Sequence, residues 1–166
     1  LVLFYVYFHL LGNLMKKSIY KKIYKTLKSL FNSNPPLSFQ AKMSLSASVL
    51  AYQFENWIFC GFYVRCNKRN LEIGPYQGKM IPCTNIKYGA GVCGTSALKQ
   101  QTIIVNNVHD YENYISCDSD TKSEIVIPIF NKKRLIAVLD IDSNKRDDFN
   151  EIDKENLEKI STLFFE

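Results

Sequence analysis

The chain of 166 residues, of which 46% are hydrophobic, is long enough and apolar enough to bury one hydrophobic core. Its formal net charge of +5 does not by itself indicate nucleic-acid binding, because residues 16–28 carry six lysines and no acid while the remainder is close to neutral. We interpret these lysines as the solvated face of one helix; a surface for RNA or anionic lipid is the alternative.

The first fourteen residues, LVLFYVYFHLLGNL, form an apolar segment that is too short to span a bilayer as a helix. The segment also lacks the basic start and the small-residue cleavage site of a secretory signal. We expect residues 1–14 to lie outside the fold, as a non-native or disordered leader, with Met15 as the true start. Residues 15–166 are then one domain, which we predict to be cytoplasmic, with neither membrane nor nucleic acid as a partner.

Two helices are predicted at the start of the domain. Residues 16–31 place apolar side chains at helical spacing, and this helix ends before Pro35 and Pro36, which cannot continue it. A second helix fits residues 38–54.

The pattern changes to strands after Asn56. WIFCGFYVRC and LEIGPY, separated by the turn NKRN, predict a hairpin. Residues 77–102 then form a long irregular stretch that contains several glycines, and GTSALKQ within it begins a short helix.

The second half of the chain contains the most regular patterns. Three strands are predicted here: TIIVNNV, SEIVIPIF and RLIAVLDID. Residues 109–123 are predicted to be a loop or short helix, and NKK separates the last two strands as a hairpin. The amphipathic segment 150–166 closes the chain as a helix that Asn150 caps.

This order of elements predicts an α+β fold in a single domain. We expect an antiparallel sheet of about six strands in mixed order, with the N-terminal and C-terminal helices packed on one face. The long irregular insertion is expected to close a pocket on the other face.

The five cysteines are odd in number and form no CxxC pair. A framework of structural disulfides is therefore not expected, which leaves thiol chemistry or burial as apolar side chains. Cys60 and Cys66 fall in a strand pattern and at its end, so we interpret them as packing residues. Cys83 and Cys93 lie in the irregular stretch, where a thiol is freer to move.

A metal site is not predicted. Cysteine ligands of zinc usually form pairs about two to four residues apart, whereas successive cysteines here are separated by 6, 17, 10 and 24 positions. His9 and His109 are the only histidines, and we interpret His109 as a loop or core residue.

Two acids end the strand RLIAVLDID. Because alternate residues of a strand share a face, Asp140 and Asp142 lie on the same face as Ile136 and Val138. Acids at the end of an apolar face indicate either a strand that emerges into solvent or a functional site.

Four blocks that follow one another along the chain resemble a known family. The last hairpin and its helix look like the end of a GAF domain, and within that superfamily the blocks are similar to the free methionine-(R)-sulfoxide reductases. The blocks are GPYQGKMIPC, YGAGVCGT, VHDYENYISCDSDTKSE and LDIDS, within a similarity that covers about residues 56–160.

The resemblance implies an activity and a set of site residues. Enzymes of this family reduce the R epimer of free methionine sulfoxide with electrons from thioredoxin, without a bound cofactor, and a homodimer is suggested. The family's nucleophilic cysteine falls on Cys117, its resolving cysteine on Cys83 and its third cysteine on Cys93. Its substrate-binding carboxylates fall on three positions: Glu124, Asp140 and Asp142.

The sequence departs from the family pattern at several positions. The usual arginine of the glycine-rich block is Ala90, and a histidine that commonly precedes the catalytic cysteine is Tyr114. The aromatic block NWIFCGFY is two residues longer than in the family. Either Trp57 bulges back into the aromatic wall of the substrate pocket or Phe59 takes its place, and Tyr63 completes that wall. We predict Trp57 as the residue of this wall.

The position of Glu124 depends on the hairpin register. A two-residue turn at Lys132–Lys133 would place Glu124 opposite Ile141, whereas a three-residue loop places it opposite Asp140, on the face of the two acids. We predict the three-residue loop. Facing like charges then require a cation, such as the ammonium of a free amino acid, and a closed carboxylate cluster can also hold the proton that a leaving sulfoxide oxygen needs.

Other classes of function remain as alternatives. A GAF sensor module would bind a small ligand without using the cysteines. A peroxide reductase would use thiols but would not need the acids. A basic interaction domain would act through the lysine-rich helix, with strongly salt-dependent binding.

Overall fold

Four helices and six strands make up the described part of the chain, which a computed structural model gives for residues 2–166, with side chains from Leu10 onward. The helices are α1 (Val2–Phe31), α2 (Phe39–Ala51), α3 (Gly91–Lys99) and α4 (Glu151–Thr162). The strands are β1 (Trp57–Arg65), β2 (Asn70–Gly78), β3 (Asn85–Lys87), β4 (Ile103–Val105), β5 (Ser123–Asn131) and β6 (Arg134–Ser143). Short 3₁₀ turns follow β4 and α4.

The six strands form one antiparallel sheet in the order β3-β2-β1-β6-β5-β4. The central pair, β1 and β6, joins the first hairpin to the last one, so the middle of the sheet is made of strands that are far apart in sequence. The predicted α+β class and the mixed strand order are confirmed.

The helices α1, α2 and α4 cover one face of the sheet. Their apolar side chains pack with the residues of β5 and β6 that alternate toward this face, in a core that includes Leu27, Leu50 and Leu157. The opposite face carries a second apolar cluster, in which α3 and the connection after β4 pack on β1, β5 and β6. The two sheet faces therefore have separate cores, and only the second one is closed by irregular chain.

Helix α1 is longer than predicted. It begins at Val2 and runs through the apolar leader into the lysine-rich segment. Leu10, Leu14 and Met15 are at least half exposed, so these three side chains add little to the core. The boundary between leader and domain stays a prediction. Within the described residues, no helix combines the length and the hydrophobicity needed to cross a membrane.

One lysine of the predicted solvated face, Lys16, is instead largely buried in an ion pair. Lys16 Nζ donates to Asp153 Oδ2 at 2.6 Å, and the Tyr20 hydroxyl donates to Asp153 Oδ1 at 2.7 Å. Asp153 also accepts from the backbone N–H of Asn150 at 2.8 Å, which completes the predicted cap of α4 as a capping box. This fully buried carboxylate therefore fastens α1 to the start of α4.

Replacement of Asp153 by alanine is expected to lower the free energy of unfolding by about 3 kcal/mol, because it leaves the largely buried Lys16 ammonium without its partner. Urea denaturation measures this loss. The control is Glu166→Gln, which removes an exposed ion pair with Lys28 at 3.9 Å and should cost under about 1 kcal/mol. Equal losses from the two variants would contradict the assignment.

Candidate active site

A small cavity lies on the sheet face that α1, α2 and α4 leave free. Its floor is formed by side chains of β1, β5 and β6, and its walls by the first turn of α3 and the segment around Cys117. The cavity volume is about 30 Å³, which is room for about two water molecules. The irregular insertion at residues 77–102, which was predicted to close a pocket on this face, therefore forms part of the cavity wall. The segment around Cys117 forms the rest of that wall.

A disulfide closes the entrance side of this region. Cys83, in the irregular stretch after β2, is bonded to Cys117, with 6.0 Å between the two Cα atoms. This is the pairing that the resemblance implies for the resolving and nucleophilic cysteines. Both residues are half-buried, so the bond lies near the protein surface.

The other three cysteines are free, and they differ in environment. Cys60 is fully buried on the helix-covered face, as expected of a packing residue. Cys66 is exposed, and its thiol donates to the Asn70 carbonyl at 3.3 Å, so the packing interpretation is wrong for this residue. Cys93 is buried in the first turn of α3, where it lines the cavity.

The hairpin between β5 and β6 closes with the two-residue turn Lys132–Lys133, in which Lys132 adopts a φ of 56°. The predicted three-residue loop is wrong. One extra residue is instead accommodated farther along β6, because the register shifts between the pairs Phe130–Leu135 and Ile129–Ala137. The residue left without a partner, Ile136, forms a β-bulge.

The bulge brings the third acid to the predicted face by another route. Without it the two-residue turn would pair Glu124 with Ile141; with it Glu124 pairs with Asp142. Glu124 therefore shares a face with Asp140 and Asp142, but its direct partner is Asp142 and not Asp140. The three carboxyl groups are all buried, at 6% exposure each.

Cys93, in the first turn of α3, lies next to this carboxyl cluster. The Cys93 Sγ, one Glu124 oxygen and one Asp140 oxygen lie within 4.8 Å of one another. Among the described residues, this is the group of His, Cys, Asp and Glu side chains close enough to ligate a metal ion. The sequence argument against zinc considered ligand pairs close in sequence, whereas these three residues come from three different elements.

One oxygen of the cluster lacks a hydrogen-bond donor. Asp140 Oδ1 is buried and has no hydrogen-bond partner within the described part of the chain. A buried carboxylate oxygen without a donor is costly, so the site favours a ligand that brings donors or positive charge.

Burial and crowding keep protons on the acids. Burial, followed by the charges of Asp140 and Asp142, raises the pKa of Glu124 well above its ordinary value. Burial and the charge of Asp140 do the same to the pKa of Asp142. Burial raises the pKa of Asp140 from 3.8 to about 6, with neighbouring Cys93 and Glu124 partly offsetting the rise. Near neutral pH the cluster therefore holds protons that exposed carboxyl groups would have lost.

The same environment keeps the surrounding groups neutral. Burial, and then the charge of Asp140, raises the pKa of the Cys93 thiol well above its ordinary value. The phenols of Tyr63 and Tyr114 shift in the same direction, each chiefly through burial. A thiolate at Cys93 is therefore disfavoured while the acids are close by.

The aromatic wall is formed by Phe59 and Tyr63, which line the cavity. Trp57, the aromatic residue predicted for this wall, does not line the cavity but borders the neighbouring surface groove together with Phe59, and its role in substrate binding stays a prediction. A register shift between Trp57 and Phe59 breaks the alternation of β1, so Phe59 faces Asp142 while Trp57 turns to the helix side. There its ring packs on Phe54, with 4.3 Å between ring centroids.

Several residues that line the cavity were not predicted to act, and three of them bear on the site. Ala90 and Tyr114, which the sequence marked as departures from the family pattern, both line the cavity. Asp118 lines it as well, and its carboxylate is bonded to the turn that follows Cys117. The signal for this turn was present in the sequence, because an aspartate side chain commonly accepts from the backbone N–H two residues on.

Replacement of Asp140 by asparagine is expected to stabilise the protein above pH 6. The folded pKa of Asp140 lies above its unfolded value, so the folded state binds more protons and stability is lost as pH rises from about 4 to about 6. The loss is about 3 kcal/mol for this group alone, and asparagine, which cannot ionise, should not show it.

Urea denaturation of both proteins at a series of pH values measures this difference. The variant should match the wild type near pH 4 and exceed it near pH 7. The control, Glu72→Gln, removes an exposed acid on β2 and should leave the pH dependence unchanged. A constant difference between Asp140→Asn and wild type at every pH would contradict the prediction.

The chain is similar in sequence to a known domain family and to characterised proteins. A family model described as GAF domain matches residues 50–164. Free methionine-R-sulfoxide reductase of Saccharomyces cerevisiae is 36% identical over 161 residues, which is 92% of this chain and 87% of that protein. The Escherichia coli protein of the same name is 36% identical over 123 residues, which is 74% of this chain and 73% of that protein.

A solved structure agrees with the sequence relatives. The X-ray structure of free methionine-R-sulfoxide reductase from Neisseria meningitidis in complex with its substrate superimposes with a TM-score of 0.83 and 32% identity. The match covers 90% of this chain and 87% of that chain.

The curled antiparallel sheet with helices on one face and an enclosed cavity on the other is a GAF domain. Within that class the chain belongs to the free methionine-R-sulfoxide reductase family. The resemblance found in the sequence is thereby confirmed, and with it the prediction that the chain is an oxidoreductase of this family.

Proposed function

We propose that this enzyme reduces free L-methionine (R)-S-oxide to L-methionine, with Cys117 as the nucleophile and Cys83 as the resolving cysteine. The observation that carries the proposal is the juxtaposition of a disulfide at Cys117 with three buried, facing carboxyl groups in one cavity. When reduced to two thiols, the Cys83–Cys117 pair supplies the two electrons, and the carboxyl groups supply the amine site and the proton.

The acid cluster accounts for a free amino acid as the substrate. The ammonium of a free amino acid offers three donors and a positive charge to Glu124, Asp140 and Asp142, including the unpartnered oxygen of Asp140. A methionine within a peptide has an amide at that position and would leave the acids unpaired. The apolar wall of Phe59 and Tyr63 suits the methyl group at sulfur.

The first chemical step needs a thiolate and an acid at the same time. In the reduced enzyme the Cys117 sulfur attacks the sulfoxide sulfur, and a carboxyl group of the cluster protonates the oxygen. The oxygen then passes from the substrate sulfur to the Cys117 sulfur: the substrate S–O bond and the transient S–S bond break, and a new S–O bond leaves Cys117 as a sulfenic acid. Methionine leaves. The substrate sulfur is reduced by two electrons, and the Cys117 sulfur is oxidised by two.

The second step forms the disulfide. The Cys83 thiol displaces the sulfenic oxygen, which leaves as water, and the Cys83–Cys117 bond results. The bonded pair described above corresponds to the enzyme at the end of a turnover. We propose that thioredoxin then reduces it by thiol–disulfide exchange, and that no bound cofactor takes part, because two thiols and a carboxyl group supply the whole reaction.

The cavity volume supports an ordered cycle. About 30 Å³ is too small for an amino acid, so the cavity has to widen before the substrate binds. Reduction frees the segments that Cys83 and Cys117 tie together, and the substrate then binds to the reduced enzyme. Cys93 is not the disulfide partner of Cys117; we propose that its neutral thiol contacts the substrate beside the acids.

A coupled assay tests the proposed function. NADPH oxidation is followed with thioredoxin and thioredoxin reductase, with free methionine-(R)-sulfoxide, its S epimer, a sulfoxide-containing peptide and hydrogen peroxide as separate substrates. Turnover with the free R epimer alone is expected. Absence of that turnover would leave a ligand-binding GAF module as the better interpretation, and equal turnover of the peptide would contradict the role of the acids.

The oligomeric state stays a prediction from the resemblance. A homodimer would be detected by light scattering coupled to size-exclusion chromatography.

A further inference from the structure

The residue that follows Cys117 is tied into a turn by three hydrogen bonds. The Asp118 Oδ1 atom accepts from the backbone N–H groups of Asp120, at 2.6 Å, and Thr121, at 2.9 Å. Its Oδ2 atom accepts from the Thr121 hydroxyl at 2.7 Å. All three donors lie after Cys117 in the chain, so the carboxylate fixes where the segment bearing the nucleophile turns toward β5.

The far end of this turn is anchored to the sheet. Thr121 is 2% exposed, and the next residue, Lys122, donates its N–H to the Ser143 carbonyl at 2.8 Å. Glu124 follows two residues later, on β5. Asp118 thus connects the position of Cys117 to the strand that carries an acid of the cavity.

The carboxylate also lies in the same cavity as the acid cluster. Asp118 lines the cavity together with Glu124 and Asp142. After burial and the other cluster acids, its negative charge adds to the rise in the pKa of Glu124 and of Asp142. Its effect is the one expected of a like charge near a buried acid: it favours the protonated form.

We propose that Asp118 is a positioning residue with two separable effects: its hydrogen bonds hold Cys117 against the sheet, and its negative charge keeps the reactive proton on the cluster of Glu124 and Asp142. The proposal rests on the proposed function, in which that proton goes to the sulfoxide oxygen.

Other ionisable groups lie near Asp118, and the substitutions described below leave all of them except Asp120 unchanged. On the cavity side they are Tyr63, Cys93, Tyr114, Cys117 and Asp140. On the opposite side Asp118 borders a surface groove, in which the charged groups are Glu55, Lys79 and Asp120.

Two substitutions separate the two effects. Asp118→Asn removes the charge but retains an oxygen for both backbone N–H groups, and the Thr121 hydroxyl can turn to accept from the new amide. Asp118→Ala removes the charge and all three hydrogen bonds. Asp120→Asn is the matched control: it removes a nearby acid that is exposed and whose side chain accepts only from the Ser119 hydroxyl, at 3.4 Å, among the described residues.

The main readout is the pH profile of kcat with free methionine-(R)-sulfoxide. In Asp118→Asn the acids lose their proton more readily, so the fall in kcat at high pH should move to lower pH by about half a unit or more, with kcat on the acidic side within about twofold of wild type. Asp118→Ala should show the same shift and also a fall of about tenfold in kcat at every pH. Asp120→Asn should follow the wild-type profile.

A second readout does not require turnover. Because the cluster pKa values are raised, the melting temperature should fall with rising pH, and this fall should be smaller in Asp118→Asn than in wild type or Asp120→Asn. Unchanged kinetic and thermal profiles in Asp118→Asn, or equal shifts in Asp120→Asn, would overturn the proposal. An inactive wild-type enzyme would overturn the proposed function, while the thermal profiles would still decide whether Asp118 acts on the acids.

Discussion

Replacement of Cys117 by serine is expected to reduce turnover of free methionine-(R)-sulfoxide by about 10³-fold or more, because a serine hydroxyl cannot take the oxygen as a sulfenic acid. The cleanest measurement uses pre-reduced protein with no added reductant. Under these conditions the wild type should release one methionine per chain and end with the disulfide that joins Cys83 to Cys117. The Cys117→Ser variant should release none.

Replacement of Cys83 separates the two chemical steps. Cys83→Ser should still release one methionine per chain, and it should then stall with a sulfenic acid on Cys117 that a sulfenate-specific reagent labels. Cys66→Ser is the matched control, because Cys66 is a free thiol that is exposed and does not line the cavity. If Cys93→Ser stalls after one turnover and Cys83→Ser does not, Cys93 is the resolving residue and the bonded pair is not the catalytic one.

The second large effect is expected from the acids. Glu124→Gln and Asp142→Asn should each lower kcat/KM for the free R epimer by about 10²- to 10⁴-fold, because each removes both a partner of the substrate amine and a source of the proton. Glutamine and asparagine are close in size to the acids, so the cavity is preserved. Glu72→Gln, on the exposed side of β2, should leave kcat/KM unchanged.

The pH dependence of the wild type gives the sign of the acid's role. Because the reacting carboxyl group must be protonated and its pKa is raised by burial, activity should persist to a higher pH than an exposed acid would allow and fall as the pH rises through the raised pKa. Retention of full activity by both amide variants would show that the proton comes from elsewhere.

Much of the sheet could be predicted because alternation is a local property. The same rule placed Asp140 and Asp142 on one face without any knowledge of the partner strands. The cap at Asn150 could be read in the same way, because its partners lie within three residues.

The errors arose where the structure depends on one residue more or less. A bulge between Trp57 and Phe59 exchanged the faces of the two aromatic residues, and periodicity alone does not locate a bulge. Lys16 was assigned to solvent because its partner, Asp153, lies far along the chain. Such long-range pairs leave no trace in the local pattern.

Because of the bulge at Ile136, the face on which Glu124 lies depends on the number of residues in the distant β5–β6 turn. The exposed turn residues do not line the cavity, and Glu124 lies about 25 Å along β5 from them. Insertion or deletion of a single residue in this hairpin would rotate Glu124 from the cavity to the helix-covered core, whereas a change of two residues would leave its face unaltered. The identity of the turn residues is therefore free to vary. The number of residues between Glu124 and Asp142 can change only by an even number if Glu124 is to stay on the cavity face.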